Sequence, residues 1–352
     1  MKKKKIVAIG TLCIPHEIIF EILKKIPVKS LMRFRCVSKS FCSLISEPLF
    51  IEAHQKLSTA QFHVSCSSLA TRENVIQYFN QSRFSKLHSL ASTNGLVCLW
   101  NFYGEVAVCN PFTQEHIFLP NQRPSITCCS LGFDPTTKKY KVIKAQYYIL
   151  DDRDYSCKVR YWIYTIGVDN LWREIPDCAN IFPIYNFVYI GGVIYCVNRL
   201  SKPYNIAAFS VENEKLIRMI LSPDEVSTSK SPPKIVEIKG QVALVDQRKF
   251  GGDDKVSLYV LNGTGETETW VKHIIALPLE LINTKYLPLF NTNPKGEITL
   301  NTNSSTIWQM FLYDIAKKDW RKVDIHGICE RVHRVSWVGV LLNLVENIWS
   351  LK

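Results

Sequence analysis

Residues 14–50 of the chain read IPHEIIFEILKKIPVKSLMRFRCVSKSFCSLISEPLF, and this stretch has the apolar spacing of a small helical module. Pro15 is suited to the first helical position, because its fixed φ favours the helix and its missing N–H is not needed there. Pro27 cannot continue a helix, so the first helix is predicted to end by about Lys25. The stretch therefore begins with one short helix, and more helices follow.

The predicted first helix carries more apolar residues than one small core needs. Ser38 is suited to cap a later helix that contains Phe41, and Pro48 stands where that helix must end. A module of this size buries little surface, and it contains no zinc-binding spacing that could stabilise it. We therefore expect another protein to cover part of it. The apolar residues of the first helix are Ile18, Ile19, Phe20, Ile22, Leu23 and Ile26.

The pattern I-P-x-E-I-x-x-E-I-L-x-x-I-P-V-K-S-L-x-R-F-R-x-V-S-K-x-F resembles the F-box, the helical segment that docks onto the Skp1 adaptor of cullin-RING ubiquitin ligases. Ile14 stands where leucine is commoner and Phe41 where tryptophan is commoner, and both residues remain large and apolar. The resemblance implies a set of residues that divide between holding the module together and binding Skp1. They are Ile14, Pro15, Ile18, Ile22, Leu23, Ile26, Pro27, Leu31, Val37 and Phe41.

The net charge of +12 over 352 residues is unevenly distributed. Residues 1–60 contain eleven lysine and arginine residues against four glutamates, a net charge of +7. A basic face on the module suits an acidic protein partner, whereas the remaining charge is weak evidence for nucleic-acid binding. One later stretch interleaves aromatic and basic residues, and we interpret it as strand packing and not as a stacking platform. Its residues are Tyr147, Tyr148, Tyr155, Arg160, Tyr161 and Trp162.

The twelve cysteines are scattered, without a C-x-x-C pair, which favours reduced thiols and a cytoplasmic or nuclear protein. Residues 1–10 are predicted to form a basic disordered tail. The lysines at 2–5 followed by an apolar run imitate a signal peptide, but no small-residue cleavage site follows, and nuclear import stays open. No stretch is long enough to span a membrane.

From residue 61 onward the apolar period changes from 3.6 to 2, and short strands alternate with turns, as in the meander over residues 96–119. Glycine-led strands and aromatic anchors recur every ~45–50 residues, the period of a propeller blade with four strands. We predict a ring of about six blades, closed by residues 61–66 and 335–345. Two separate β-sandwiches are the alternative. The anchor pairs are Tyr164 with Trp172, Phe209 with Ile217, Tyr259 with Trp270, and Tyr313 with Trp320.

The segments STNGLVCL at 92–99, NPFT at 110–113 and LGFDPTTKKYKV at 131–142 are similar to landmarks of plant F-box-associated domains, which are related in pattern to kelch propellers. Gly191-Gly192-Val193-Ile194-Tyr195 is kelch-like, but the other predicted blades lack the double glycine. The expected architecture is an α+β multidomain protein: an all-α F-box over residues 11–57, then an all-β propeller-like domain over residues 61–352.

No catalytic, nucleotide-binding or metal-binding motif is present in the sequence, so we expect no cofactor, no metal and no enzyme activity. The sequence favours a target-recognition subunit of an SCF ubiquitin ligase that binds Skp1, and cullin through it, together with a target protein of unknown identity. Loops near Asp151 and Gly251 are expected to face the target. The alternatives are a propeller-type carbohydrate-binding protein or enzyme with an incidental helical prefix, and an F-box protein that acts with Skp1 outside a ligase.

Overall fold

The computed structural model describes residues 14–351 apart from 58–59, 67–88, 102, 123–124, 152–155, 179–180, 182, 200, 228–230, 247–253, 264, 283–288, 294, 304–307, 326–337 and 346–347. The predicted basic tail at residues 1–10 lies outside the described residues. The helical module consists of α1 (His16–Leu23), α2 (Val28–Val37), α3 (Lys39–Ser46) and α4 (Pro48–Leu57).

The helix boundaries follow from the local sequence. Pro15 occupies the N-cap of α1 and not the first helical position, so the helix begins one residue later than predicted. Pro27 is the N-cap of α2, so each of these prolines precedes a helix. The Ser38 side chain accepts a hydrogen bond from the Phe41 backbone N–H at 3.5 Å, which confirms Ser38 as the cap of α3. Pro48 begins α4 directly after α3 has ended.

The β region forms five antiparallel sheets of four strands, arranged in chain order as the blades of a propeller. Blade 1 is β2 (Ser89–Thr93), β3 (Leu96–Trp100), β4 (Val106–Asn110) and β5 (Glu115–Phe118). Blade 2 is β6 (Ile126–Asp134), β7 (Lys139–Asp151), β8 (Ser156–Thr165) and β9 (Arg173–Ile175). Blade 3 is β10 (Pro183–Ile190), β11 (Val193–Asn198), β12 (Asn205–Ser210) and β13 (Lys215–Leu221).

The remaining blades are separated by two single-turn helices, α5 (Asp224–Ser227) before blade 4 and α6 (Leu279–Ile282) before blade 5. Blade 4 is β14 (Lys234–Ile238), β15 (Gln241–Asp246), β16 (Lys255–Asn262) and β17 (Thr269–Ala276). Blade 5 is β18 (Leu289–Thr292), β19 (Ile298–Asn303), β20 (Trp308–Asp314) and β21 (Asp319–Ile325).

The ring is closed by a two-stranded ladder in which β1 (Ala60–Cys66) pairs with β22 (Val338–Val345). The first strands of successive blades contact one another, and β22 contacts both β18 and β2. The predicted closing segments are thus confirmed where they are described; residues 335–337 of the second one lie outside the described residues. The prediction of about six blades is wrong, because the described residues form five four-stranded blades and the ladder lies between the last blade and the first.

The recurring anchors have a physical role. Trp172 donates its indole N–H to the Pro120 carbonyl of the preceding blade at 2.7 Å, and Trp320 does the same to Ala276 at 2.7 Å. Trp270 reaches the Leu221 carbonyl at 2.9 Å. Each of these tryptophans lies at the fourth strand of its blade, so the period seen in the sequence is the period of bonds between blades.

The glycine-led strands β3, β11 and β15 follow tight hairpin turns. Asn94 and Gly95 have φ values of 47° and 85°, and Gly191 and Gly192 have 53° and 89°. Two successive residues at positive φ match the twist of a two-residue hairpin, which explains asparagine and glycine at these places. Buried apolar layers then fill the spaces between successive blades.

Candidate functional site

An exposed apolar stripe runs along α1 and the residues before it. Ile14, Ile18 and Ile22 are 54%, 51% and 52% exposed. They are spaced four residues apart, which places them on one side of a helix. Their neighbours Glu17 and Lys25 line the same open surface. An apolar surface of this kind on a helix is typical of an unoccupied protein interface.

The opposite side of α1 packs into the core of the helical module. Leu23, Leu31 and Phe50 are buried there, and Phe20 meets Phe50 edge-to-face with ring centroids 5.2 Å apart. The Nε2 atom of His54 lies 2.9 Å from the Ile26 carbonyl oxygen and so joins α4 to the loop between α1 and α2. The module is therefore apolar on both sides of α1, and only one side is covered by residues that the structure describes.

The ten residues expected from the sequence fall into two groups. The structure exposes six of them and covers four, of which Ile26 and Phe41 are half-buried. Phe41 packs edge-to-face on Phe34 at 5.8 Å, as a large aromatic residue at this position allows. The exposed residues are Ile14, Pro15, Ile18, Ile22, Pro27 and Val37, and the buried residues are Leu23 and Leu31.

Residues Ile348–Leu351, which we call the clasp, connect the helical module to the ring. Ile348 is 2% exposed and belongs to the core of the helical module. Trp349 packs on Tyr140 of β7 with ring centroids 5.0 Å apart. Leu351 is buried in the layer between blades 1 and 2. Three of the four clasp residues thus contribute to two different cores.

Polar contacts fix the clasp in place. The Asn110 side-chain amide donates to the Trp349 carbonyl at 2.9 Å. The Glu115 carboxylate accepts from the Leu351 backbone N–H at 2.8 Å and from the Ser350 hydroxyl at 3.2 Å. Buried backbone groups that are satisfied in this way hold a segment in one conformation.

Two turns of the ring also meet the helical module. Phe112, in the turn between β4 and β5, packs against the core of the module. Lys138, in the turn between β6 and β7, lies 3.7 Å from the Glu52 carboxylate of α4. Since strands alternate in direction, both turns lie at the same end of the ring. The second strands of the blades end at the other end of the ring, as β7 does at Asp151; residues 152–155 and Gly251 lie outside the described residues.

The described residues offer no metal centre, because no group of three histidine, cysteine or acidic side chains is placed to hold an ion. The eight cysteines whose side chains the structure describes are free thiols. Burial raises the pKa of Cys109 and of Cys196 to about 12, so these thiols are poor nucleophiles. Among the described helices, none is both long enough and apolar enough to cross a membrane.

The aromatic and basic stretch on β7 and β8 is largely packed within the blade. Tyr161 is buried and donates its hydroxyl to the Ile181 carbonyl at 3.0 Å. Tyr147 and Trp162 are half-buried against the layer between blades 1 and 2. Tyr148 is also half-buried, Arg160 is exposed, and Tyr155 lies outside the described residues.

Sequence reasoning missed the clasp. Ile348-Trp349 was a visible signal, because two large apolar residues follow a strand that already closes the ring. Their partners lie more than 200 residues away, as in the bond from Asn110 to Trp349. No local pattern predicts such a contact.

Comparisons with known proteins agree with this arrangement. A family model described as "F-box associated beta propeller domain" matches residues 47–345, and one described as "F-box domain" matches residues 11–52. The kelch-like label is not confirmed by these matches. F-box protein At1g30790 of Arabidopsis thaliana is 26% identical, covering 90% of this chain and 90% of the relative. F-box protein At1g47340 of Arabidopsis thaliana is 25% identical, covering 90% and 76%.

Among solved structures, TolB from Acinetobacter baumannii aligns with a TM-score of 0.44 at 12% identity, covering 68% of this chain and 55% of that protein.

Proposed function

Because this chain belongs to the F-box proteins that carry an F-box-associated β-propeller, we propose that it is the target-recognition subunit of an SCF-type ubiquitin ligase. F-box domains bind Skp1 within such complexes. The chain would dock on Skp1 through the helical module and hold a target protein on the ring. Ubiquitin transfer is then promoted by proximity, since the complex raises the effective concentration of target lysines near the charged E2.

The observation that carries this proposal is the exposed apolar stripe of Ile14, Ile18 and Ile22 above an already filled core. Covering a stripe of this kind with another protein removes apolar area from water, at roughly 25 cal/mol per Å². Lys25 lines this surface together with Glu17 and Glu21. Lys29 and Arg33 of α2 and Lys39 of α3 are exposed as well, and this excess of basic residues on the helical module favours an acidic partner.

Within the proposed interface, the ten residues have two roles. The exposed residues Ile14, Pro15, Ile18, Ile22, Pro27 and Val37 contact Skp1, and Leu23, Leu31, Ile26 and Phe41 hold the helices in place behind them. We assign the F-box to residues 11–57 and the target-binding domain to residues 61–352.

The test uses the full chain co-expressed with a Skp1 protein. Ile18→Asp with Ile22→Asp places two carboxylates in the proposed apolar interface, at a cost of several kcal/mol, and should abolish co-purification. The matched control is Val168→Asp with Leu171→Asp, two exposed apolar residues of blade 2 that should leave Skp1 bound. Retention of Skp1 by the folded Ile18/Ile22 variant would refute the docking site. A separate pull-down with cullin distinguishes a ubiquitin ligase from a Skp1 complex of another kind.

A further inference from the structure

Buried polar atoms without a hydrogen-bond partner are concentrated between blades 1 and 2. Buried donors and acceptors in proteins are nearly always paired, so each exception needs an explanation such as a bound water or ion. Among the described residues, nine buried side-chain atoms have no partner, and five of them lie in this layer or in the chain that joins the two blades. The five atoms are Trp100 Nε1, Gln122 Oε1, Ser125 Oγ, Lys144 Nζ and Trp162 Nε1.

Lys144 of β7 carries the only charge among these five atoms, and it is fully buried, at 0% exposure. Its ammonium lies over the Trp172 ring, 4.1 Å from the ring centroid, and no described hydrogen-bond acceptor reaches it. Burial lowers the pKa of Lys144 to about 8, so the side chain remains charged in most molecules at pH 7. Among the described side chains on this face of blade 2, the one acidic residue is Glu174, which is exposed and lies 3.7 Å from Arg160. A buried charge without a counter-charge is costly, and a cation–π contact offsets only part of the cost.

The other buried lysine of β7 shows how this fold satisfies such a charge. Lys141 is 5% exposed and, three residues before Lys144, lies on the opposite face of the strand. Its ammonium is 3.1 Å from the Asp134 carboxylate and 2.9 Å from the Glu214 carboxylate. The described chain thus supplies two counter-charges to Lys141 and none to Lys144.

The polar groups nearest Lys144 are donors or can become donors. Trp162 lies directly opposite Lys144 across the β7–β8 pair, so the two side chains share one face of the sheet. Trp172, under the ammonium, donates to the Pro120 carbonyl at 2.7 Å, and Gln122 follows two residues later in the chain. An indole N–H can only donate, and turning the Gln122 amide by half a rotation exchanges its oxygen for its NH2 group.

Two further groups enter the layer from the side of blade 1. Trp100, the last residue of β3, is 3% exposed and belongs to the buried layer between blades 1 and 2. Ser125 immediately precedes β6; its carbonyl accepts a hydrogen bond from the Thr127 hydroxyl, while its own hydroxyl has no partner. With the Gln122 amide turned, these groups and Lys144 offer only N–H and O–H groups to the layer. A set of donors around one cation fits an anion and not a metal ion.

We propose that the layer between blades 1 and 2 binds one small monovalent anion, a halide or a short carboxylate, through Lys144, Trp162 and the neighbouring donors. One ammonium balances one negative charge, whereas a dianion such as sulfate would leave a buried excess charge. The packed layer also favours a small ion over a bulky one. The anion would join blade 2 to blade 1, the blade whose Phe112 packs against the helical module.

The first experiment crystallises the full chain in bromide and locates the ion by anomalous scattering. We expect a bromide peak within about 4 Å of Lys144 Nζ. Lys144→Met, which keeps a long side chain without its charge, should lose this peak. Planar density of a retained carboxylate at the same place would assign the carboxylate form of the anion. Water alone at Lys144, or bromide only on the outer surface, would overturn the proposal.

The second experiment measures the Tm of the full chain at constant ionic strength while gluconate, a bulky anion, is replaced by chloride or by formate. An anion that binds only the folded chain stabilises it, so the Tm should rise by about 4 °C or more between about 5 mM and about 300 mM of the small anion. The anion that acts at the lower concentration is the one that the site prefers. A Tm that responds to neither anion would contradict the proposal.

Lys141→Met is the matched control, because it removes a buried lysine of the same strand whose ammonium is already paired. This variant should be less stable at every concentration and should keep the full rise in Tm. Lys144→Met should lose the rise, and Trp162→Phe, which removes the indole N–H and keeps an aromatic ring, should need about fivefold more chloride. An equal rise in Lys144→Met and in the unchanged chain would show a general salt effect and refute the site. Neither experiment involves Skp1, so their outcome is separate from the test of the proposed function.

Discussion

Ile348→Ala should loosen the helical module while leaving the distant blades intact. Ile348 is 2% exposed and packs among Leu44, Ile45 and Phe50 of the helices. Truncation of a buried isoleucine to alanine costs about 3 kcal/mol, through lost transfer energy and the cavity left behind. Because 1.4 kcal/mol is a factor of ten, the module should open about a hundredfold more often.

Hydrogen exchange followed by mass spectrometry measures this effect along the chain. We expect amides of α3 and α4 to exchange about a hundredfold faster in the variant, and those of blades 3 and 4 to keep their rates. Ile235→Ala is the matched control, because Ile235 is equally buried but lies between blades 3 and 4. In Ile235→Ala we expect amides of blades 3 and 4 to exchange faster and those of α3 and α4 to keep their rates.

The reasoning would be refuted by unchanged protection of α3 and α4 in Ile348→Ala. It would also be refuted by a loss of protection spread over the whole ring, since that would mean that the clasp stabilises the propeller in general and not its junction with the helices.

Three further predictions concern a hydrogen bond between blades, a carboxylate of the ring and two thiols. Trp270→Phe removes the bond to the Leu221 carbonyl and should lower the free energy of unfolding by about 1 kcal/mol, measured by urea denaturation. Burial raises the pKa of Glu214, but hydrogen bonds from Arg173 and Lys141 outweigh this and hold that pKa below its usual value. Its contribution is therefore complete above about pH 4.3 and is lost as the pH falls through the folded value, so Glu214→Gln should flatten the decline of thermal stability in acid. Iodoacetamide should label the exposed Cys36 in the native protein and spare Cys109, which mass spectrometry of the peptides would reveal.

Local patterns predicted much of the fold because the forces behind them are local. Proline and serine positions indicated where α1 and α3 begin and end. Asn94 and Gly95 form the hairpin turn before β3, because asparagine and glycine tolerate the positive φ values that this turn requires. The anchor tryptophans were recognised by their period, although their hydrogen bonds to the preceding blade were not visible in the sequence.

The blade number failed for a physical reason. Dividing the length of the β region by a period assigns every residue to a blade. However, β1 and β22 come from opposite ends of that region and pair with each other in a two-stranded ladder outside the blades. The division of the ten F-box residues was also beyond the sequence. Ile22 and Leu23 are adjacent and equally apolar, yet one is exposed and the other buried, because only the packing of α1 on Phe50 and its neighbours decides which side is covered.

One strand runs from the end of the ring that meets the helical module to the opposite end. β7 begins at Lys139 and Tyr140, where the clasp ring of Trp349 packs, and it ends at Asp151. Thirteen residues at ~3.3 Å each span about 40 Å. The strand is paired along both edges as far as Tyr147, so it cannot bend freely over most of that length. A target held at the Asp151 end of the ring would therefore be displayed at a fixed distance and direction from the exposed apolar stripe proposed to bind Skp1, and that geometry, more than affinity alone, would decide which of its lysines reach the charged E2.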